Sequence, residues 1–439
     1  MKSLRPGINL YNHQMFGKQF ILKRKYCLLG DEQGLGKTLT AISAMVEVKG
    51  VALVICPAFL RENWKAEVKK FSNLSCKIVK SKESYDTVPQ VIISSYSNAK
   101  NIPTDIMFDF IVCDESHYIK TYTAARTRAV VNLVRSCMPE YFLAMTGTPL
   151  SNNITEFFSI LKILSCCPSG TNGIPIAQKS QMSFSMKFSN AVTRNIKTKS
   201  KNGRTTSVKV TNFNGVRNLD LLKTYLRGKF LRRLASKVLD LPSVVDVPFI
   251  VTDKSPLDKE MYDAYESYIN GRSHPEDHIT HIKIKCALRK VAHTISLAED
   301  LVNQGEKVVI FSDNREPVLT IVKGLKDKGI AADYILGGMD TGVRQRLVDA
   351  FQESNAIMVL VGSIGAMGTG LNLTAARHMI FNDMSWVPAY QSQARKRIDR
   401  IGQERKVTIT NMLSGQFDQS LMRKLNNKIK NISEIVSKG

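Results

Sequence analysis

Several features that mark other classes of protein are missing from this chain. Its eight cysteines never form a Cys-x-x-Cys pair, which argues against a zinc site or a redox motif. No apolar run approaches the roughly 20 residues that a membrane-spanning helix needs. The first residues lack the apolar core of a signal peptide, and there is no internal repeat or long low-complexity tract. We therefore expect a soluble cytoplasmic protein with free thiols and no membrane partner.

Acidic residues are also scarce relative to basic ones. The 439 residues include 62 Lys and Arg against 38 Asp and Glu, a formal net charge of +24. The excess is concentrated between Lys179 and Lys237, where fifteen basic residues face the single acid Asp220. Such a patch favours binding of a polyanion, and nucleic acid is the commonest one. An apolar content of 43% is normal for a globular protein, and the length predicts two or three domains.

Short apolar runs alternate with helical patterns in two parts of the chain, which predicts α/β lobes built on parallel sheets. Predicted strands of the first part are Tyr26–Leu29, Val51–Cys56, Val91–Ser94, Phe110–Cys113 and Tyr141–Met145. Those of the second part are Lys307–Phe311, Ala332–Ile335, Ile357–Val361, His378–Phe381 and Val407–Met412.

The region between the two lobes has a different composition, rich in Ser, Asn, Thr, Lys and Gly. Asn202-Gly203 is a strong hairpin-turn signal, so we predict a basic β-hairpin over Arg194–Lys209. The run Leu219–Leu239 reads as helical. The expected domains are an N-terminal lobe (1–165), a basic insertion of hairpin and helices (166–245), a C-terminal lobe (246–425) and a helical tail (426–439).

A phosphate-binding loop is predicted at residues 31–38, with the sequence DEQGLGKT, between a strand and a helix. Gly34 and Gly36 allow the backbone to approach phosphates closely. Lys37 would neutralise them, and the Thr38 hydroxyl would ligate Mg²⁺. Asp31 replaces the first glycine of the usual pattern, so a plain glycine-rich turn is the alternative interpretation.

An apolar strand that ends in Asp114-Glu115-Ser116-His117 supplies the second half of this chemistry. A carboxylate at a strand end can hold Mg²⁺, and the next acid can act as a general base on water. Alone, such a pair is often a polar surface loop. Following a Gly-Lys-Thr by about eighty residues, it is far more specific.

The ordered set of motifs resembles the Snf2 family of superfamily 2 helicase-type motors. The phosphate loop and the DESH segment resemble that family's motifs I and II, and Asp takes the first-glycine position there too. Four further blocks are similar to its motifs Ia, III, V and VI: residues 57–64 (PAFLRENW), 146–153 (TGTPLSNN), 368–373 (GTGLNL) and 393–403 (QARKRIDRIGQ). Residues 219–242 are similar to the fork-remodelling, annealing-helicase branch. The resemblance implies two RecA-like lobes with a basic insertion between them.

The resemblance also implies a role for individual residues. Gln14 would read adenine, His117 would couple the nucleotide to motif III, and Glu115 would activate water. Arg397 and Arg400 would be arginine fingers, placed on one helix face by their spacing, whereas Asp399 stands where many relatives carry His. Together with Lys37, the two arginines and Glu115 form the expected catalytic set. The expected ligands of ATP are Gln14, Gly34, Leu35, Gly36, Lys37, Thr38, Asp114, His117, Gly370 and Gln393, with Thr38 and Asp114 on Mg²⁺.

Contacts with nucleic acid are expected in both lobes and in the hairpin. Hydroxyls and backbone N–H groups suit phosphate contacts that do not read sequence. For each of these residues an ordinary loop position is an equally good interpretation. The candidates are Arg61, Ser95, Tyr96, Arg194, Lys197, Lys199, Lys201, Arg204, Ser312, Asn314, Ser363 and Gly368.

The function expected from the resemblance is ATP-driven translocation on duplex, forked or branched DNA. A strand-separating helicase is the alternative with the same motor, and a catalytically inactive nucleic-acid scaffold is the alternative of another class. RNA helicase activity fits less well, because motif III is Thr-Gly-Thr-Pro. The expected protein is a monomer from a bacterial or phage-infected cell, with replication or recombination proteins as further partners.

Overall fold

The computed structural model describes residues 2–79, 87–102, 106–147, 154–166, 180–199, 205–214, 217–251, 259, 263, 276–368, 370–385, 387–415, 418 and 422–423. These residues form two compact units, one within 1–238 and the other within 239–431. The predicted tail (426–439) lies outside the described residues. No helix in the described part is both long and apolar enough to cross a bilayer.

A seven-stranded sheet forms the centre of the first unit. Its strands pair in parallel in the order β3-β4-β2-β5-β6-β1-β9. A further pair, β7 and β8, forms a separate antiparallel ribbon. In chain order the strands are β1 Tyr26–Leu29, β2 Val51–Cys56, β3 Cys76–Ile78, β4 Val91–Ser95, β5 Phe108–Cys113, β6 Tyr141–Met145, β7 Asn190–Lys199, β8 Thr205–Asn214 and β9 Phe230–Leu231.

Helices cover both faces of this sheet, and the apolar runs of the strands follow from that. Alternate residues of β1 enter different core clusters: Leu28 belongs to one, while Cys27 and Leu29 belong to the other. Because both faces are buried, the central strands are apolar throughout. The helices are α1 Asn12–Arg24, α2 Lys37–Met45, α3 Arg61–Phe71, α4 Ala125–Cys137, α5 Phe157–Leu164, α6 Gln181–Phe188, α7 Leu219–Leu226 and α8 Ala235–Val238.

The region after residue 180 confirms one prediction and corrects another. The hairpin is present, and its strands pair from Asn190–Asn214 to Lys199–Thr205. The predicted helix Leu219–Leu239 is wrong, since α7 ends at Leu226 and β9 follows before the short α8. Gly228 has a φ of 72°, a conformation that breaks a helix.

The second unit repeats the same architecture with a six-stranded parallel sheet. Its order is β10-β15-β14-β11-β13-β12. The two α/β lobes predicted from the sequence are therefore confirmed. The strands are β10 Val244–Val251, β11 Val308–Ser312, β12 Ala332–Ile335, β13 Val359–Ser363, β14 His378–Phe381 and β15 Val407–Ser414.

Two core clusters again lie on the two faces of this sheet. In β11, Val309 and Phe311 enter one cluster, whereas Val308 and Ile310 enter the other. The helices are α9 Glu276–Arg289, α10 Val291–Asn303, α11 Arg315–Asp327, α12 Thr341–Glu353, α13 Ile364–Met367 and α14 Pro388–Arg395.

Candidate functional site

The loops that carry the main motifs of the first unit gather at one edge of its sheet. Because the strands are parallel, their carboxyl ends lie on the same side, where ligands of open α/β sheets bind. β5, β6 and β1 are neighbours in the sheet. The segments that leave them begin at Asp114, Thr146 and Gly30. The phosphate loop and the acidic motif therefore lie side by side.

The phosphate loop has a conformation that requires glycine. Gly34 and Gly36 have φ angles of 86° and 73°, in the left-handed region that disfavours a Cβ. A Cβ on Gly36 would also overlap the side-chain amide of Gln14. Helix α2 begins at Lys37, immediately after the loop, so its unpaired N–H groups face the loop. This combination forms an anion-binding cradle.

Lys37 is half-buried at the end of this loop, where α2 begins. Its Nζ donates to the carbonyl oxygens of Asp31 (2.8 Å) and Glu32 (3.2 Å). Burial lowers the pKa of Lys37, while the charges of Glu115, Asp31 and Asp114 oppose that shift. A cation surrounded by acids but bonded to neutral carbonyls is suited to receive an anionic group.

Asp114 is almost fully buried, and its two carboxylate oxygens have separate donors. The Trp64 indole Nε1 donates to Oδ2 (2.8 Å), and the backbone N–H of Glu115 donates to Oδ1 (2.9 Å). Burial and the neighbouring Glu115 raise the pKa of Asp114 to about 6, against the opposing effects of the Trp64 bond and of Lys37. The carboxylate is therefore fixed in direction and sensitive to added positive charge.

Tyr96 approaches the same acid from the segment after β4. Its hydroxyl donates to the Asp114 carbonyl oxygen (2.7 Å), and its ring stacks on Tyr118 at 5.7 Å between centroids. Trp64 reaches Asp114 from α3. Two of the segments expected to grip nucleic acid thus bond directly to the acid expected to hold the metal.

Glu115 and His117 complete the acidic motif. Glu115 has φ 49° and ψ 53°, a left-handed conformation that is costly for a residue with a Cβ. His117 Nδ1 lies 3.2 Å from Glu115 Oε2 and 3.5 Å from Thr146 Oγ1. His117 thus lies close to both Glu115 and the end of β6, and its expected coupling role remains a prediction.

These residues fit a magnesium ion that is held only in part by protein. The Asp114 carboxylate and the Thr38 hydroxyl are hard oxygen donors of the kind Mg²⁺ takes. No group of three or more His, Cys, Asp or Glu side chains within the described ranges could hold a metal alone. In magnesium sites of phosphate-binding enzymes, water and substrate phosphates supply several of the ligands.

Gln14 contacts the phosphate loop directly. Its Oε1 accepts a bond from the Tyr11 N–H (3.0 Å), and its Nε2 donates to the Leu35 carbonyl (3.3 Å). The neighbouring His13 Nε2 lies 3.0 Å from that same oxygen. The first turn of α1 is therefore packed on the loop, and the expected contact of Gln14 with adenine remains a prediction.

In the second unit, Arg397 and Arg400 converge on one carbonyl. Each donates to the oxygen of Leu371, at 3.1 and 3.2 Å. The prediction that both lie on a helix face is wrong, because α14 ends at Arg395 and turns follow. The Arg397 carbonyl accepts from the Leu373 N–H (3.0 Å), which ties this turn to the segment containing Gly370. Gln393 lies one turn earlier and is buried.

Comparison with known proteins decides the family. A family model described as the SNF2-related domain matches residues 13–297, more than half of the chain. The chain belongs to this family. A second model, the helicase conserved C-terminal domain, matches residues 289–402. The resemblance inferred from the motifs is confirmed.

Relatives of this SNF2-related chain include proteins named as helicases. It is 26% identical, over 94% of its length, to the DNA annealing helicase and endonuclease ZRANB3 of Mus musculus, and covers 40% of that protein. It is 25% identical to the uncharacterized ATP-dependent helicase YqhH of Bacillus subtilis, over 98% of this chain and 80% of that protein. Among solved structures it is similar to a Sulfolobus solfataricus SWI2/SNF2 ATPase core in complex with dsDNA, with 22% identity, coverage of 98% and 94%, and a TM-score of 0.45.

The expected nucleic-acid contacts of the second unit of this SNF2-related chain differ in accessibility. Ser312 is fully buried and its hydroxyl donates to Asp383, so a phosphate contact through that hydroxyl would have to break this bond. Asn314 Nδ2 is buried without a hydrogen-bond partner among the described residues. Ser363 is half-buried and directly precedes α13. A Cβ on Gly368 would overlap the Ile364 carbonyl oxygen.

In the first unit, the candidates also divide into buried and accessible residues. Ser95 and Tyr96 are 3% exposed, and the Ser95 hydroxyl lies 3.0 Å from that of Ser97. Arg61 is half-buried, and its Nε donates to the Ala58 carbonyl. Arg61 is therefore the more accessible of these candidates in the first unit.

The hairpin candidates lie in β7 or beyond it. Arg194, Lys197 and Lys199 occupy β7, and Lys201 and Arg204 lie outside the described residues. The register pairs residue 197 with 207 and residue 195 with 209. By the alternation of a strand, the lysines at 197, 199 and 209 occupy positions of one face and Arg194 a position of the other.

Sequence reasoning missed two groups in this SNF2-related chain. Trp64 was noted only as the last residue of the block 57–64, whereas its indole bonds to Asp114. Arg232 and Arg233 were noted only as part of a similar block, yet they bond to the phosphate loop across about 200 positions of sequence. The only sequence feature that pointed to these arginines was Asp31, because an acid at this position has no role in the usual loop.

Proposed function

We propose that this chain is a DNA-stimulated ATPase that translocates on double-stranded or branched DNA and remodels or reanneals forks and junctions. The observation that carries the proposal is the meeting of Lys37, Asp114 and Glu115 at one edge of the first sheet. These three groups supply a phosphate cation, a metal carboxylate and a general base. Membership of the SNF2-related family supports the same chemistry.

Within the nucleotide site, each residue of the first unit has one proposed task. Lys37 and the N–H groups at the start of α2 bind the phosphates. Thr38 and Asp114 hold Mg²⁺, which would offset negative charge on the phosphates when bound. Glu115 accepts the proton of the attacking water, and His117 relays the state of this site to the end of β6.

Arg397 and Arg400 are proposed to act on the γ-phosphate from the second unit. A guanidinium stabilises the charge that spreads over the transferred phosphoryl group in the transition state. ATP would then favour approach of the two units and hydrolysis would release it, a two-state change biased by a ligand. Alternation between these states, with both units holding DNA, produces translocation.

The DNA side of the proposal rests on charge and on the relatives. The region from Lys179 to Lys237 is strongly basic, and part of it is an antiparallel ribbon of two ten-residue strands. One relative is named as a DNA annealing helicase. Duplex or junction DNA is therefore the proposed partner, with Arg61, Ser363 and the hairpin lysines as the first contacts to test.

The decisive experiment measures ATP hydrolysis at steady state with different nucleic acids. The assays contain none, single-stranded DNA, duplex DNA, a fork, a four-way junction or RNA. We expect the largest stimulation by duplex or junction DNA. Stimulation by RNA alone would contradict the DNA assignment, and no hydrolysis under any condition would favour the inactive scaffold.

The phosphate loop is tested by Lys37→Ala, with Lys49→Ala as the matched control. Lys49 is an exposed lysine of the same unit. Lys37→Ala should abolish hydrolysis and leave binding to duplex DNA intact, because the loop loses its phosphate cation. Lys49→Ala should match the wild type. Undiminished turnover in Lys37→Ala would refute the assignment of this loop.

Strand separation is the second candidate, because several relatives are named as ATP-dependent helicases. The hairpin is the obvious wedge element in the described part of the chain. A forked duplex with one labelled strand distinguishes the two candidates. Release of that strand with ATP supports a helicase, whereas annealing of two complementary strands with ATP supports the remodelling assignment.

A further inference from the structure

Asp31 occupies the position of a glycine in the usual phosphate loop, and it is 1% exposed. A buried carboxylate needs partners, because its isolated charge is costly in a protein interior. Its Oδ1 accepts bonds from the backbone N–H of Arg233 (3.0 Å) and from Arg233 Nε (3.0 Å). Its Oδ2 accepts a further bond from Arg233 Nη2. The acid is thus held by a two-pronged guanidinium and a backbone donor.

The backbone beside this ion pair is also bonded to the loop. β9 pairs with β1, and the pairing continues beyond the strands: Gly30 N–H donates to the Leu231 carbonyl (2.8 Å) and Glu32 N–H to the Arg233 carbonyl (2.9 Å). The Glu32 carboxylate in turn accepts from the Ala235 N–H (2.6 Å). The first half of the loop is therefore tied along its length.

Arg232 adds a connection on the other side of the loop. Its Nη1 donates to the carbonyl oxygens of Gly30 (2.8 Å) and Gly147 (3.3 Å), at the ends of two neighbouring strands. Arg233 also donates to the His13 carbonyl, and its guanidinium lies 5.8 Å from the centre of the Phe16 ring. Adjacent arginines thus join the loop to α1 and to the segment after β6.

We propose that residues Phe230–Ala235 form a latch that sets the conformation of the phosphate loop, with Arg232 and Arg233 as positioning residues and Asp31 as the acceptor of Arg233. The proposal rests on the proposed function, because it assumes that this loop binds ATP. It explains why an acid stands where the usual loop has glycine: the side chain is the anchor for the latch. The latch acts on nucleotide through the loop and does not itself contact it.

The sharpest test is Asp31→Gly, which restores the usual pattern of the loop but removes the anchor. We expect the dissociation constant for a fluorescent ADP analogue with Mg²⁺ to rise about tenfold. The KM for ATP should rise with it, and kcat should change less, because the loss is in ground-state binding. Binding by Asp31→Gly that is as tight as in the wild type would overturn the latch.

Conservative variants separate positioning from general damage to the fold. Asp31→Asn keeps two acceptor or donor groups and should be milder than Asp31→Gly. Arg233→Gln should be as harmful as Asp31→Gly, and the double variant Asp31→Asn/Arg233→Gln should lose less than the product of the two single losses. Strictly multiplicative losses would show that the two side chains act independently and would contradict the proposal.

Two controls make the outcome interpretable. Lys49→Ala should bind the analogue like the wild type, and the thermal midpoint of each variant without nucleotide identifies unfolded protein. A variant whose midpoint stays near that of the wild type while affinity falls supports the latch. If the wild type itself fails to bind the analogue, the proposed function is refuted before the latch is tested; if it binds and Asp31→Gly binds equally, only the latch is refuted.

Discussion

Each unit of the molecule holds a pair of arginines near a strand end, and the two pairs are held differently. Arg232 and Arg233 bond to a carboxylate and to backbone carbonyls on several segments. Arg397 and Arg400 both donate to the Leu371 carbonyl, and Arg397 Nε also donates to the Gln393 carbonyl (3.0 Å). A guanidinium on a neutral carbonyl exchanges partners at a lower cost than one on a buried carboxylate. The Asp31–Arg233 ion pair therefore suits a fixed structure, whereas the role proposed for Arg397 and Arg400 requires that they transfer to a ligand.

The strongest way to sharpen this comparison is to remove a second-unit arginine. Arg400→Ala should lower kcat by about 10³-fold, the range measured for arginine fingers. The affinity for the fluorescent ADP analogue should differ from that of the wild type by only about a few-fold. Single-turnover hydrolysis and analogue binding provide the two measurements. Arg405→Ala is the control, since Arg405 is exposed and bonds to Glu306.

If Arg400→Ala lost as much affinity for the ADP analogue as it lost turnover, the proposed difference between the two arginine pairs would be wrong. That result would mean that Arg400 binds nucleotide in the ground state. In that case it would resemble the phosphate-loop residues of the first unit more than a transition-state group.

A smaller effect is expected when the hydrogen bond from Trp64 to Asp114, the residue proposed to hold Mg²⁺, is removed. Trp64→Phe keeps the buried ring but deletes the donor to Asp114. An unmet acceptor in a buried site costs about 1–3 kcal/mol, so we expect a lower thermal midpoint and a higher Mg²⁺ requirement for hydrolysis. Trp64→Leu is the comparison variant, because it removes packing as well. Equal midpoints for Trp64→Phe and wild type would contradict a structural role for this bond.

The smallest effect is expected from the hairpin, which belongs to neither sheet. Neutralising the lysines at 197, 199 and 209 should leave hydrolysis without DNA unchanged. The slope of log affinity for duplex DNA against log salt should become shallower by about 0.9 for each lost phosphate contact. Lys49→Gln, at an exposed position of the same unit outside the hairpin, is the control. An unchanged slope would mean that this face of the hairpin does not contact DNA.

The sequence predicted the sheets well because strands buried on both faces must be apolar throughout. β2 and β6 match their predicted bounds, whereas β3, β9 and β10 were missed. β3 and β9 have only three and two residues, which is too few for a periodic signal. The neighbourhood of Lys37 and Asp114 followed from the order of motifs. No local pattern predicted which side chain bonds to each site residue, for example Trp64 to Asp114. Such pairing depends on which strands become neighbours in the sheet.

The wrong helix after residue 219 has a similar explanation. The pattern of apolar residues continues through the region, but Gly228 ends the helix and the chain turns into β9. The isolated Gly228 in a helical pattern already argued against a continuous helix. The pairing of β9 with β1 then determines the conformation of the residues that follow it. For Ser312, the sequence predicted a contact of the hydroxyl with nucleic acid. In the structure this hydroxyl is buried and donates a hydrogen bond to Asp383.

The pairing of β9 with β1 can form only late in the synthesis of the protein, because the two strands are far apart in the sequence. Asp31 and Arg233 are 202 positions apart. At about 5–20 residues per second, the ribosome adds Arg233 roughly 10–40 s after Asp31. Once Glu115 has been added, the nascent chain carries Lys37, Asp114 and Glu115, but the strand beside β1 does not exist until residue 230 is reached. A nascent chain stalled before residue 230 should therefore bind ATP more weakly than one stalled after residue 238, although both carry the same phosphate loop and acidic motif.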